Sequence, residues 1–268
     1  MSAINLNSAV IESHDEYHRR SGEYLSSHLL AAFRRCPREY QLRVSGNITS
    51  PDSSAMRFGR AFHCLALEGD ATFFQLYEAG GPINPKTGNP FGADTKASRE
   101  YAKTAGKTIL DLDDYGLMRE MAFALQSHHV AQDLLVRTMR ESVFRHDVCG
   151  LPCQARCDAV DEDRIVDLKT IDDIDDFERQ ARSYGYLNQI AFYAAVASEN
   201  ARCVRCWFVV VEKRAPYRVG VWELFGHNMY SAIDENNAAM RRLSALRTTA
   251  VDEAWPTGYE CVQHFLKS

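Results

Sequence analysis

No run of about 18 apolar residues occurs in the 268-residue chain, which excludes a membrane-spanning helix. The chain opens Met1-Ser-Ala-Ile-Asn-Leu-Asn, without the basic stretch and apolar core of a secretory signal, so a cytoplasmic location is expected. Positive charge is not in excess: the formal net charge is −5. That argues against a protein that coats nucleic acid nonspecifically, while leaving room for basic residues gathered at one place. No internal repeat is visible, and Cys203-x-x-Cys206 has no second CxxC with which to complete a zinc site. The eight cysteines, with Cys149, Cys153 and Cys157 recurring every four residues, are therefore expected as reduced structural thiols.

What is present is a composition, 46 % hydrophobic and 25 % charged, that can build a full core in one large domain with appendages. The chain is organised around residues 153–169. Two strand-like segments, 154–160 and 165–169, flank the polar stretch Asp161-Glu162-Asp163-Arg164 and read as a hairpin. Antiparallel partners sum to a constant, so a turn centred between Glu162 and Asp163 sets Asp158 opposite Asp167. The period of two then places Asp167 and Lys169 on one strand face, with Asp158 across from them. Two carboxylates and an ammonium thus converge within roughly 5 to 8 Å.

Facing aspartates repel, and a compensating cation relieves them. Mg²⁺ or Mn²⁺ suits carboxylate oxygens, and an adjacent lysine can orient or deprotonate water or neutralise charge building on a phosphoryl group. The plainer alternative is a solvent-facing hairpin in which Lys169 simply pairs with Asp167.

Along the chain, residues 1–21 read as an N-terminal arm. A helix follows, capped by Ser26 or Ser27, carrying Leu29, Leu30 and Phe33 and ending near Cys36-Pro37. Its free N–H groups can hold an anion or simply be capped. A second helix is expected over 55–68, with His63 inside its apolar pattern as either a hydrogen-bonded core residue or a ligand. Residues 80–108, rich in Gly, Pro, Asn and Lys, read as a long loop. Helical spacing resumes over 113–139, a strand over 141–148, and a strong helix over 177–198, where Gln189 and Tyr193 share a face. Strands at 204–212 and 217–225, a helix at 228–247 and a tail at 251–268 complete the order, with the main domain spanning 22–250.

An α/β chain of this order, αβββαβ with D…DxK at the centre, resembles the PD-(D/E)XK nuclease superfamily. His63 in Gly59-Arg-Ala-Phe-His, Asp158 in Ala155-Arg-Cys-Asp, Asp167-Leu-Lys169 and Gln189-x-x-x-Tyr193 are similar to motifs of its RecB-like branch, especially the exonuclease VIII (RecE) group and its phage relatives. Leu65-Ala-Leu-Glu68 and the stretch from Val211 to Tyr217 add to the likeness, which covers residues 22–247.

The resemblance implies that His63, Asp158, Asp167 and the Leu168 carbonyl bind metal, that Lys169 is catalytic, and that Gln189 and Tyr193 line the site near the DNA strand. It further implies 5′ to 3′ exonuclease activity on linear double-stranded DNA, leaving 3′ single strands, in a ring-shaped homo-oligomer serving a single-strand annealing partner. With that substrate, the Ser26-Ser27 helix start beside Arg34, Arg35 and Arg38 is expected to hold a terminal 5′-phosphate. A single-strand or structure-specific nuclease, or a silent DNA-end scaffold, are the competing readings. Cys36-Pro37 resembles the first ligand position of iron–sulfur members, which need three further C-terminal cysteines. Only Cys261 lies in the tail here, so no iron–sulfur cluster is expected.

Overall fold

The computed structural model describes residues 3–49, 52–249 and 254–258. Its strands, in chain order, are β1 (Val10–Ile11), β2 (Tyr77–Ala79), β3 (Thr108–Leu110), β4 (Met139–Val148), β5 (Leu151–Val160), β6 (Arg164–Ile171), β7 (Arg205–Glu212) and β8 (Val219–Leu224). The α-helices are α1 (His14–Arg19), α2 (Ser27–Arg35), α3 (Pro37–Val44), α4 (Ser54–His63), α5 (Gly69–Leu76), α6 (Lys96–Ala105), α7 (Leu112–Ser127), α8 (His129–Leu135), α9 (Phe177–Ser183), α10 (Tyr186–Ala197) and α11 (His227–Thr249).

Six strands form the central sheet in the order β1-β4-β5-β6-β7-β8, with β6 and β7 parallel and the other neighbours antiparallel. A parallel step needs a crossover, and α9 and α10 supply it. Side-chain alternation along β6 and β7 builds a helical layer on each face. Ile165, Phe208 and Val210 meet Phe33, Phe192 and Met240 from α2, α10 and α11. Val166, Leu168, Val209 and Val211 meet Phe62, Met118 and Met121 from α4 and α7. Burial on both faces explains why these strands read as nearly unbroken apolar runs.

Several boundaries differ from the sequence reading for physical reasons. The 177–198 helix is two helices, because Gly185 adopts a left-handed conformation (φ +69°) that turns the chain between α9 and α10. The 113–139 helix divides at His128, whose Nδ1 accepts the Ala131 N–H at 3.2 Å and caps α8, and Met139 already belongs to β4. The loop at 80–108 contains α6, capped by Thr95 and ended by left-handed Gly106, before β3 pairs in parallel with β2. The helix expected over 55–68 is α-helical to His63 and then makes one π-helical turn over Cys64–Glu68, a feature that often accompanies function. The stretch read as an N-terminal arm lies against the sheet: Ile4 is buried, and Val10 and Ile11 pair with Val143 and Ser142. Of the tail, only residues 254–258 are described, with Trp255 stacked on Tyr40; Cys261 lies outside the described residues.

Candidate active site

The β5–β6 hairpin has the expected register, with Val160 opposite Ile165 and Ala159 opposite Val166. There the ladder stops, one step short of Asp158 and Asp167. On the other side of β5, partners sum to the same constant throughout, yet Glu141 opposite Asp158 is missing from the ladder. Glu141 has a positive φ of 48°, and core contacts change face between Cys157 and Ala159. Asp158 therefore sits where the sheet opens on both sides. Its carboxylate takes over one backbone duty, accepting the Leu168 N–H at 2.8 Å.

Opening the sheet brings three side chains together. One donor atom each from His63, Glu141 and Asp158 lies within 4.8 Å of the others. His63 arrives from the last residue of α4, whose Phe58 and Phe62 are buried in the core, and its Nδ1 stands 3.5 Å from Asp158 Oδ2. Glu141 is held by Arg156, Nε to Oε2 at 3.0 Å. Asp167 lies outside this trio and turns to Lys169, whose Nζ is 2.5 Å from Asp167 Oδ2. Lys169 also donates to Gln189 Oε1 at 3.1 Å and stands 4.8 Å from the Tyr186 ring centre. Gln189 Nε2 in turn donates to the Tyr193 hydroxyl at 2.9 Å. The sequence-derived residues His63, Asp158, Asp167, Lys169, Gln189 and Tyr193 thus form one connected line; Leu168 enters it through its N–H. Sequence reasoning missed Glu141, Arg156 and Tyr186.

The charges are only partly compensated. Burial and then the nearby Asp158 push the Glu141 carboxyl up to about 7. Burial likewise raises Asp167 to about 6, against the pull of Lys169. Burial also opposes the charge on Asp158, yet His63, Lys169 and the Leu168 N–H outweigh it and hold this carboxylate below its usual range. His63 and Lys169 are each disfavoured as cations by burial and then raised above their ordinary values by the carboxylates. Buried Asp167 Oδ2 receives no hydrogen bond of proper geometry among the described residues, its ammonium neighbour notwithstanding. Two carboxylates and an imidazole gathered within 4.8 Å are a donor set that fits a divalent cation.

Beside Lys169 opens a cavity of about 570 Å³ between α2 and the α9–α10 connection, lined in part by Ser27, Arg34 and Arg35. Ser26 is occupied in capping α2, accepting the Leu29 N–H at 3.3 Å, and Arg38 donates to Gln41 Oε1 at 2.5 Å.

A family model described as a PDDEXK-like domain of unknown function (DUF3799) matches residues 26–264. The chain belongs to that family. The DUF3799 chain shares its fold with a candidate exonuclease from Eubacterium rectale, solved at 2.19 Å: the TM-score is 0.68 over 97 % of each chain, at 13 % identity. At that identity the likeness establishes the fold alone. A phage-related exonuclease from Haemophilus somnus 129PT aligns over 65 % of this chain and 92 % of its own at 14 % identity, with a TM-score of 0.31 that carries no argument. No curated protein matches the sequence. The PD-(D/E)XK resemblance read from Asp158, Asp167 and Lys169 and the mixed α/β architecture both agree with the family. Among the described residues, no helix is long and apolar enough to cross a membrane.

Proposed function

We propose that this DUF3799 protein is a metal-dependent nuclease that degrades linear double-stranded DNA from its ends in the 5′ to 3′ direction, leaving 3′ single strands for recombination by annealing. The observation that carries the proposal is the convergence of His63, Glu141 and Asp158 within 4.8 Å, with the Asp167–Lys169 pair on the neighbouring strand. His63, Glu141 and Asp158 would hold the cation, with Asp167 beside them. Mg²⁺, or Mn²⁺ in its place, supplies a Lewis acid for the scissile phosphate and a water activated at neutral pH.

The protein's own residues supply the rest. Lys169 stays protonated at neutral pH because Asp167 and Asp158 more than offset the cost of its burial. Its role is therefore to stabilise negative charge developing on the phosphate, an interaction strongest in the transition state. Gln189, fixed by Tyr193, holds the ammonium in place. The cavity beside Lys169 offers Ser27, Arg34 and Arg35 to a terminal 5′-phosphate; Ser26 caps the helix that carries them, and Arg38 follows on α3. The likeness to the exonuclease VIII group supports a ring-shaped homo-oligomer working with a single-strand annealing protein.

The test compares blunt linear with closed-circular duplex, with and without Mg²⁺. Linear DNA should be degraded only with metal, faster when it bears a 5′-phosphate, and circular DNA should survive. Equal attack on circular DNA would favour a structure-specific nuclease, and metal-independent silence on both would favour a DNA-end scaffold.

A further inference from the structure

We infer that the Tyr184 ring is a stacking platform for the base of the terminal nucleotide, a strand-positioning element beside the reacting groups; this rests on the nuclease reading above. The connection between α9 and α10 is short, and left-handed Gly185 reverses it. Tyr184 and Tyr186 flank that glycine and both line the cavity that opens onto Lys169. Their ring centres are 5.8 Å apart at 40°. The two tyrosines have different employment. Tyr186 is partly buried, its ring 4.8 Å from Lys169 Nζ and 6.4 Å from the Phe177 ring. Tyr184 is 66 % exposed, and its hydroxyl makes no hydrogen bond among the described residues. A large, mostly exposed aromatic ring thus stands on the wall of a cavity that the reacting lysine also lines.

The rest of the cavity suits a nucleotide rather than an apolar ligand. Arg182 and Arg35 add cationic side chains that are 71 % and 68 % exposed. Arg182 is only loosely engaged, 3.7 Å from Glu178, and is free to meet a phosphate. Asn188 and Gln189 add polar groups, and among the described residues that line the cavity there is no carboxylate. A volume of about 570 Å³ has room for a base and its sugar phosphate. A strand whose phosphate lies against Lys169 leads its neighbouring nucleotide into this space, where the Tyr184 face meets a base. Stacking of this kind tolerates any sequence, as an end-degrading enzyme requires, because every base has a π-face.

The experiment measures binding of duplex ends in Ca²⁺, which should support binding with little turnover, and then cleavage in Mg²⁺. Ends carry either 2-aminopurine or an abasic site as the 5′-terminal nucleotide. Tyr184→Ala should weaken binding of the base-bearing end by about tenfold and abolish the 2-aminopurine quenching, while Tyr184→Phe preserves both. The abasic end should bind wild type and Tyr184→Ala alike, and cleavage should show the loss in KM rather than kcat. Unchanged binding by Tyr184→Ala, an equal loss on abasic ends, or a Tyr184→Phe defect matching that of Tyr184→Ala would overturn the platform. A change confined to oligomeric state would assign Tyr184 to a protein contact and overturn it too. Wild-type cleavage alongside any of these leaves the nuclease reading standing; wild type that neither binds nor cleaves ends overturns both.

Discussion

Two buried carboxylates on adjacent strands meet opposite fates. Asp167 on β6 and Glu212 on β7 are 2 % and 4 % exposed. Glu212 accepts from Arg218 Nε and Nη2, both at 2.8 Å, and from the Ile174 N–H at 3.2 Å. Those donors, the Arg218 guanidinium foremost, hold it down at about 2. Asp167 has Lys169 and little else, and is pushed up to about 6. Burial alone therefore does not mark a functional acid. The mark is burial without a full set of donors, since native structures complete such sets where only stability is at stake. The Glu212 cluster fastens β7 to the turn after β6; the Asp167 and Asp158 cluster keeps a carboxylate oxygen whose donors are incomplete.

The largest expected effect separates the clusters by activity. Lys169→Ala should lower single-turnover cleavage by ~10²-fold or more while leaving DNA binding in Ca²⁺ nearly intact, the size of losing one preorganised transition-state donor. Asp158→Asn should do at least as much. Glu212→Gln should leave the cleavage rate unchanged. An unaffected rate in Lys169→Ala would remove that residue from the chemistry, and lost DNA binding would make it a substrate anchor.

Stability should divide the other way. Glu212→Gln weakens charged hydrogen bonds at the β7 end and should cost about 1.5 to 3 kcal/mol in denaturant unfolding at neutral pH. A cost of a few tenths would make the cluster ornamental. The smallest effect, a matter of slope, concerns pH. Glu212 is depressed from 4.5 to about 2, so its contribution is complete above pH 4.5 and is lost as the pH falls toward 2. The gap between wild type and Glu212→Gln should close over that window. Glu141 and Asp167 are raised, from 4.5 to about 7 and from 3.8 to about 6, which gives the opposite sign: without metal, their contribution is lost as the pH rises through those intervals. Urea titrations of the chelated protein between about pH 2 and pH 8 report both slopes.

Much of the site was legible because hairpin counting is arithmetic. The turn between Glu162 and Asp163 gives the register of β5 and β6, and the period of two gives the shared face of Asp167 and Lys169. The same counting was available one hairpin earlier. Cys149 and Gly150, both with positive φ, form the two-residue turn that sets Glu141 opposite Asp158. Glu141 was missed because that turn was not counted. The opening of the ladder at Asp158 was not legible at all: it arises where a side chain captures the Leu168 N–H, a tertiary event without a periodic signal. Gly185 was hidden for another reason, as the apolar pattern continues past it and a single glycine is tolerated inside a helix. The short helix α6 was lost in the average composition of residues 80–108, although Thr95 and Gly106 bracket it with ordinary capping residues.

The most direct test of the central claim is thermal unfolding of the chelated protein with and without added Mn²⁺. An ion that binds only the folded state stabilises it by about 2.7 kcal/mol at a hundred times its Kd. Mn²⁺ should raise the Tm of wild type and of Glu212→Gln by the same amount, although the latter starts lower, and should leave Glu141→Gln and Asp158→Asn nearly unmoved. An absent shift in wild type, or an undiminished one in Glu141→Gln, would contradict a cation site at His63, Glu141 and Asp158.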